Sequence, residues 1–160
     1  MNIFVLDKNP KEAAKMHFDK HVVKMILESA QLLCSVHHLT SNRTDIPYRL
    51  SHKNHPCTKW VRESYSNYIW LLDLTRALLD EYTFRYGKKH ATEKAYEWCA
   101  INLPNIKDIG LTPFAQAMPI ELKSDNSIES YRNYYIKEKI HLYAYKNRST
   151  PEWLKNNIYY

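Results

Sequence analysis

Glycine and long apolar runs are scarce in this sequence. Gly87 and Gly110 are the only glycines among 160 residues, which argues against a Gly-rich phosphate loop, a dinucleotide-binding turn or a sheet built on tight hairpins. No apolar run approaches the length of a membrane span or of the apolar region of a signal peptide. We therefore expect neither a membrane anchor nor an export signal.

Cysteine is also sparse. Cys34, Cys57 and Cys99 are odd in number, widely separated and form no Cys-x-x-Cys pair. Such cysteines are typical of reduced thiols in a reducing compartment. The sequence thus predicts a cytoplasmic protein, and because it holds no cofactor motif, no cofactor is expected.

The abundant residues are compatible with one globular domain spanning 1–160. Hydrophobic residues make up 44% of the chain and aromatic residues 13%, enough for the core of one domain. Lys and Arg number 23 against 17 Asp and Glu, giving a formal net charge of +6. This charge favours DNA or a nucleotide as partner, although ordinary surface lysine enrichment explains it equally well.

The order of helix-forming and helix-breaking residues predicts a mainly α fold, a compact bundle of three long helices with shorter ones and a short N-terminal strand or arm. Segments 40–56 and 103–125 hold the prolines and polar residues of loops. The tail, with Trp153 and residues 158–160, has too much apolar surface to stay free and should pack on the body. The predicted elements are the arm over 1–6 and helices over 11–38, 57–86, 91–101 and 128–146.

The first long helix carries a narrow polar line on an otherwise apolar surface. At about 100° per residue, His17, His21, Lys24 and Glu28 fall on one face, among valine, isoleucine, leucine and methionine. Such a helix is mostly buried, so these side chains would face a cleft or an internal network. The alternative is an ordinary Lys24–Glu28 pair with the histidines satisfied inside the core.

His17 and His21 also have the i, i+4 spacing of a metal-binding pair. The acid between them, Asp19, lies on the other side of the helix, unlike the glutamate of a metalloprotease HExxH motif. A metal site would need a third ligand from elsewhere, and no further spacing supports one. We therefore do not predict a bound metal.

A second polar cluster, SHKNHP, precedes the second long helix. The proline that opens this helix follows His55, and His55, Lys59 and Arg62 lie within about 60° of one another on its surface. Free N–H groups at the helix N-terminus, together with these cations, favour a phosphate or phosphodiester. A solvated helix face explains the same residues equally well.

A third segment, YRNYYIKEKIHLYAYKNR, alternates aromatic and cationic side chains, as do surfaces that stack on bases and contact phosphates. Most of its tyrosines are expected in the core with their hydroxyls at the edge. Arg132 is the residue of this segment that we expect to contact a phosphate.

Six strings together resemble a family of short proteins common in tailed phages: MNIFVLDKNP, HFDKHVVKMILESAQLL, NHPCTKW, NYIWLL, LTPFAQAMP and YRNYY. The layout is more remotely similar to the phage pyrimidine-dimer DNA glycosylases of the endonuclease V type. Shared features are an N-terminal arm, an early histidine in the first helix, a histidine opening the second, a Tyr-Arg segment and an aromatic, basic tail. The resemblance implies a DNA-repair enzyme of the host cytoplasm.

These glycosylases are compact all-α proteins whose N-terminal α-amine attacks C1′ of the sugar, with a carboxylate on the first helix. Their imine intermediate permits strand cleavage by β-elimination. By resemblance, His17, His55 and Arg132 would contact phosphates. The full set of expected nucleic-acid or phosphate contacts is His52, Asn54, His55, Lys59, Arg62, Gln116, Arg132 and Tyr135.

The catalytic pair departs from the family pattern. Val23 or Lys24 stands where the family has its glutamate, and Glu28 lies on the same face more than one turn later. Asn2 is too large for ready removal of the initiator methionine, so the free amine would belong to Met1. The expected catalytic residues are Met1 or Lys24 as the amine, Glu28 as acid and base, and His17 and His21 beside them.

Three functions remain open on the sequence alone. The first is a DNA glycosylase with AP-lyase activity. The second is the same fold without its catalytic acid, binding a nucleotide, a nucleotide signal or DNA. The third is a metal-dependent nuclease or hydrolase that uses His17 and His21.

Overall fold

The computed structural model describes residues 1–158 and confirms a mainly α fold, with seven α-helices and no strand among those residues. Two short 3-10 turns, Ile120–Leu122 and Ile140–Leu142, complete the regular structure. The helices are α1 (Pro10–Lys15), α2 (Asp19–Thr40), α3 (Pro56–Glu63), α4 (Tyr65–Tyr86), α5 (Glu93–Ile101), α6 (Ser127–Glu138) and α7 (Glu152–Lys155).

The first six residues form an arm that runs through the core. Ile3, Phe4, Val5 and Leu6 are all buried, which fixes the apolar segment at the N-terminus inside the protein. No strand pairs with this segment within residues 1–158, so the arm alternative of the sequence prediction is the one observed.

The helix predicted over 11–38 is wrong as a single element, because the chain breaks between α1 and α2. The buried Arg85 guanidinium donates to the carbonyls of Lys15 (3.0 Å) and His17 (2.8 Å). The Asp19 N–H, which would bond to the Lys15 carbonyl in a continuous helix, donates to Ala144 at 2.9 Å. The Arg85 guanidinium and the Ala144 carbonyl thus replace the backbone hydrogen bonds that would make α1 and α2 one helix.

The helix predicted over 57–86 is also divided, at Ser64. Ser64 is extended (φ −152°, ψ 144°) and fully buried. Its hydroxyl accepts from the Ile109 N–H at 3.1 Å and lies 3.1 Å from a carboxylate oxygen of Asp108, while the Tyr65 N–H donates to Lys107. The loop that follows α5 therefore ends α3 and sets the start of α4.

The third predicted long helix is shorter than expected, since α6 ends at Glu138 instead of continuing to 146. Beyond α6 the chain forms the 3-10 turn Ile140–Leu142, and the Asp19 carboxylate then accepts from the Lys146 N–H at 2.9 Å. In the tail, Leu154 is buried and Trp153 lies against Arg132, with the guanidinium carbon 5.3 Å from the ring centroid. The expected packing of Tyr159 and Tyr160 falls outside the described residues.

The two segments predicted as loops are confirmed, apart from the turn Ile120–Leu122. One buried apolar cluster joins the arm, α2, α4 and α6. Within the described part of the chain, no helix is both long and apolar enough to cross a membrane.

Candidate active site at the N-terminus

The arm is anchored immediately beside the N-terminal amine. Asn2 is 8% exposed, and its side-chain amide donates to the Ala117 carbonyl at 2.9 Å. The Tyr131 hydroxyl lies 2.9 Å from Asn2 Oδ1 and 2.7 Å from the Ala115 carbonyl oxygen. These contacts join the arm to α6 and to the segment before it, so the position of the first backbone nitrogen is fixed by tertiary structure.

That nitrogen lies against a carboxylate of α2. The α-amine of Met1 is 3.2 Å from Glu28 Oε1, and the Glu28 side chain is 11% exposed. Lys24 lies one turn earlier on the same helix face, with Nζ 3.6 Å from Glu28 Oε2. Glu28 is therefore shared by two amines. The Met1 side chain is 3% exposed, whereas the Lys24 side chain is 68% exposed.

The amine and the carboxylate line a cleft of about 300 Å³. His21, Lys24 and Glu28 reach it from one face of α2, at the helical spacing i, i+3 and i+7. Among the described residues that line it, Glu28 is the only acid. The lining residues are Met1, Asn2, Phe4, His21, Lys24, Met25, Glu28, His55, Ala117, Tyr134 and Lys139.

His21, one of the residues that line this cleft, is held by aromatic packing. Its ring stacks on Phe4 with centroids 4.3 Å apart, and its Nδ1 lies 2.6 Å from the Tyr135 hydroxyl. Burial, reinforced by the nearby His17, lowers the pKa of His21 to about 3. The imidazole is therefore neutral at physiological pH.

His55 enters the cleft from the start of α3. It is the N-cap of that helix, and its Nδ1 accepts from the Cys57 N–H at 3.0 Å. Burial, followed by the positive charge of the N-terminal amine, lowers the pKa of His55. The Met1 amine thus acts electrostatically on His55 as well as on Glu28.

The fourth member of the predicted polar line, His17, does not lie with the others. Because the helix breaks after α1, the His17 ring turns inward and is fully buried, with Nδ1 2.7 Å from the Ala13 carbonyl oxygen. Burial lowers the pKa of His17 to about 4. It lies outside the cleft lining, and its position is that of a core residue.

The remaining residues of the SHKNHP cluster and of α3 lie outside the cleft lining. Arg62 donates to the Lys53 carbonyl at 2.9 Å and so closes the loop in front of α3. His52 adopts a left-handed conformation (φ 50°) and is exposed, as are Asn54 and Lys59.

The predicted contacts from the second half of the chain are not brought to the cleft. Arg132 donates to the Leu6 carbonyl at 2.8 Å and pairs with Asp7 at 3.2 Å, on the side of a separate groove. Tyr135 is fully buried, and Gln116 is bonded through its side-chain amide to the backbone of Ser124. These three residues tie the arm, the core and a loop together.

Sequence reasoning did not place Lys139 and Tyr134 in the site, although both lie in the segment of alternating aromatic and cationic residues. Lys139 lines the cleft from the end of α6, with Nζ 5.2 Å from the Tyr134 ring centroid. The alternation was the only signal available, since the approach of α6 to the arm depends on the tertiary contacts of Asn2 and Tyr131.

Three or more histidine, cysteine or acidic side chains do not come together at metal-binding distance anywhere in residues 1–158. His17 and His21 therefore find no third ligand within that part of the chain.

The sequence profile of a family described as pyrimidine dimer DNA glycosylase matches residues 1–94, more than half of the chain. The chain therefore belongs to this family, and the remote resemblance to the pyrimidine-dimer DNA glycosylases is confirmed. The matched segment contains the arm, α2 and His55, which supply most of the cleft. No curated protein and no solved structure matches the chain. Membership supports a function of the DNA glycosylase type, with DNA as the partner.

Proposed function

We propose that the protein is a DNA glycosylase with accompanying AP-lyase activity, in which the α-amine of Met1 is the nucleophile and Glu28 the acid and base. The observation that carries this proposal is the 3.2 Å contact between the Met1 nitrogen and Glu28 Oε1, two residues that line one cleft. Family membership supports the glycosylase part of this proposal.

In the first step, the lone pair of the neutral amine attacks C1′ of the damaged nucleotide. The bond between C1′ and the base nitrogen breaks, and its electron pair leaves with the base. Glu28 takes the proton that the amine loses, because its carboxylate is already in contact with that nitrogen. The product is an aminal at C1′ joined to the Met1 nitrogen.

In the second step, the protonated Glu28 returns its proton to the ring oxygen O4′ as the C1′–O4′ bond opens. The nitrogen lone pair forms the C1′=N bond, giving a protonated imine. Loss of a proton from C2′ then expels the 3′-phosphate by β-elimination, because the imine accepts the electrons released at C2′. One carboxylate thus serves first as base and then as acid.

Met1 is preferred to Lys24 because of its surroundings. The Lys24 hypothesis required a buried amine, whereas the Lys24 side chain is 68% exposed. Lys24 and Lys139 instead frame the cleft as cations, where they can pair with the phosphates on either side of the reacting sugar.

The two other functions considered on the sequence receive less support. A binding protein without its catalytic acid was favoured by the missing family glutamate, but Glu28 provides a carboxylate at the amine. A metal-dependent nuclease would need ligands around His17 and His21, and the two imidazoles lie in different environments.

Reductive trapping tests the proposed function. The protein, with its natural N-terminus and in the presence of EDTA, is incubated with UV-irradiated or abasic-site DNA and reduced with borohydride. We expect a covalent protein–DNA adduct with both substrates. Glu28→Gln should form it at least about 100-fold more slowly, since general acid–base catalysis contributes about 10²- to 10⁴-fold.

Glu97→Gln, an exposed change on α5, is the matched control and should trap DNA at the wild-type rate. DNA binding without an adduct would instead support the binding protein, and activity that is lost with chelator would support the metal enzyme.

A further inference from the structure

Two histidines of the cleft have their Nδ1 atoms occupied by bonds to the protein itself. This matters because a neutral imidazole carries its proton on one nitrogen, and the bond made by the other nitrogen decides which one. The surroundings of His21 and His55 therefore specify what each ring presents to the cleft.

For His55 the assignment follows from its cap bond. The Cys57 N–H can only donate, so Nδ1 of His55 must accept and carries no proton when the ring is neutral. The proton is then on Nε2. Because His55 lines the cleft, it offers an uncharged N–H donor there.

For His21 the assignment follows from Tyr135. The Tyr135 hydroxyl accepts from the Phe18 N–H at 3.3 Å, and its own proton has Nδ1 of His21 as its acceptor within the described residues, at 2.6 Å. His21 therefore also carries its proton on Nε2, and it lines the same cleft.

We infer that His21 and His55 are two neutral N–H donors for the departing pyrimidine, stabilising the negative charge that develops on its carbonyl oxygen as the glycosidic bond breaks. This inference rests on the proposed function. The electron pair of the C1′–N1 bond moves onto the base, where it is shared between N1 and the O2 oxygen. Donors already oriented towards such an oxygen lower the barrier without reorganising.

The cleft holds both charged and uncharged donors, and the uncharged ones suit a pyrimidine carbonyl oxygen better than a phosphate. Lys24 and Lys139 line it as cations, and a full positive charge is the better partner for a phosphodiester. A pyrimidine presents neutral carbonyl oxygens, which are hydrogen-bond acceptors. Burial lowers the pKa of both His21 and His55, and this shift favours the uncharged form of each ring.

His55→Asn tests the inference cleanly. Asparagine is a good N-cap residue, so its Oδ1 can still accept from the Cys57 N–H, but its shorter side chain cannot place an N–H at the position of His55 Nε2. Glycosidic-bond cleavage, measured as alkali-labile sites in UV-irradiated DNA under single-turnover conditions, should slow by about 100-fold, the usual cost of removing one such donor. Trapping on abasic-site DNA should be unchanged, since no base departs there.

His90→Asn is the matched control. Like His55, His90 accepts through Nδ1 from the N–H two residues later, that of Thr92 at 3.1 Å, but it lies outside the cleft lining. Cleavage and trapping should both stay at the wild-type rate.

At the second donor, His21→Leu should slow glycosidic-bond cleavage, and His21→Gln, whose amide places an N–H near the position of Nε2, should recover part of the rate. If the glutamine variant is as slow as the leucine variant, His21 acts only through packing and its part of the inference fails.

The outcomes separate this inference from the proposed function. If the wild-type protein forms no adduct on abasic-site DNA, the proposed function itself fails. If the wild type reacts but His55→Asn cleaves the glycosidic bond at the wild-type rate, or loses cleavage and abasic-site trapping equally, the leaving-base role is overturned.

Discussion

The Tyr131 hydroxyl lies 2.9 Å from Asn2 Oδ1 and connects α6 to the residue that follows the N-terminal amine. Both side chains are buried, and Asn2 is held a second time by the Ala117 carbonyl. A terminal residue is ordinarily mobile. Here the neighbouring residue is fixed from two directions, so the amine has one position relative to Glu28.

Tyr131→Phe should therefore weaken catalysis more than DNA binding. Without the hydroxyl, the Ala115 carbonyl and Asn2 lose a partner, which costs about 1–3 kcal/mol of folding stability and loosens the arm. We expect the trapping rate on abasic-site DNA to fall about tenfold or more while the Kd for DNA is retained, because misplacement by about 1 Å can cost that much.

Tyr145→Phe is a suitable comparison for that prediction. Its hydroxyl also donates to a carbonyl, that of Met16 at 2.7 Å, but it lies away from the cleft. It should lose similar stability and keep the trapping rate; an equal loss of trapping in both variants would mean that Tyr131 acts through stability alone.

The cations that frame the cleft should govern the salt dependence of DNA binding. Lys24→Met and Lys139→Met each remove one cation from its lining. Each should reduce the slope of log K against log salt concentration by about 1, since each phosphate contact releases about one counterion. Fluorescence anisotropy at several salt concentrations measures this slope. Lys94→Met, on α5, should leave it unchanged.

Acid should destabilise the protein through its buried histidines. Burial lowers the pKa values of His17 and His37 to about 4 and that of His21 to about 3, all below the ordinary value of 6.5. Between pH 6.5 and about 4, these three histidines are protonated in the unfolded chain but not in the folded chain. The folding stability present above pH 6.5 is therefore lost as the pH falls towards 4.

Urea unfolding at pH 7 and pH 5 measures this loss, which should be about 2 kcal/mol for each of the three histidines. In His17→Asn the side-chain amide can still donate to the Ala13 carbonyl, but nothing at this position titrates. That variant should start less stable and show a shallower fall with pH. A slope equal to that of the wild type would remove His17 from the explanation.

The ion network at the break between α1 and α2 should carry a large share of the stability. Arg85 is fully buried and donates to Glu81, Asp19 and two backbone carbonyls. Arg85→Met removes the guanidinium from Asp19 and leaves Glu81 with Arg148 alone, so it should lower the free energy of unfolding by about 3–5 kcal/mol.

Glu12→Gln, which removes an exposed ion pair with Lys15, should cost less than about 1 kcal/mol in the same urea titration. If Arg85→Met costs no more than this control, the network around Arg85 does not stabilise the junction between α1 and α2.

Local pattern predicted the helical fold well, and it failed where distant residues intervene. The apolar periodicity of 11–38 is helical throughout, yet the helix is interrupted where Arg85, 70 residues further along the chain, bonds to the Lys15 carbonyl. Ser64 is likewise held extended by the loop at Lys107 to Ile109. The residues next to the two interruptions do not themselves indicate that Arg85 or the loop at Lys107 to Ile109 will bind there.

The same distinction applies to the site. His21, Lys24 and Glu28 share one helix face by their spacing, and the structure brings all three to one cleft. The proximity of the Met1 amine to Glu28 depends on the buried arm, and His17 leaves the line because the helix breaks before Asp19. Lys139 joins the cleft only because α6 packs against the arm.

The most direct test of the central claim is to identify the atom that bonds to DNA. The adduct trapped by borohydride on abasic-site DNA is digested with nuclease and protease, and its attachment is mapped by mass spectrometry. The account predicts a reduced sugar remnant on the α-nitrogen of Met1, with the methionine retained. A remnant on the ε-nitrogen of Lys24, or on any other amine, would contradict it.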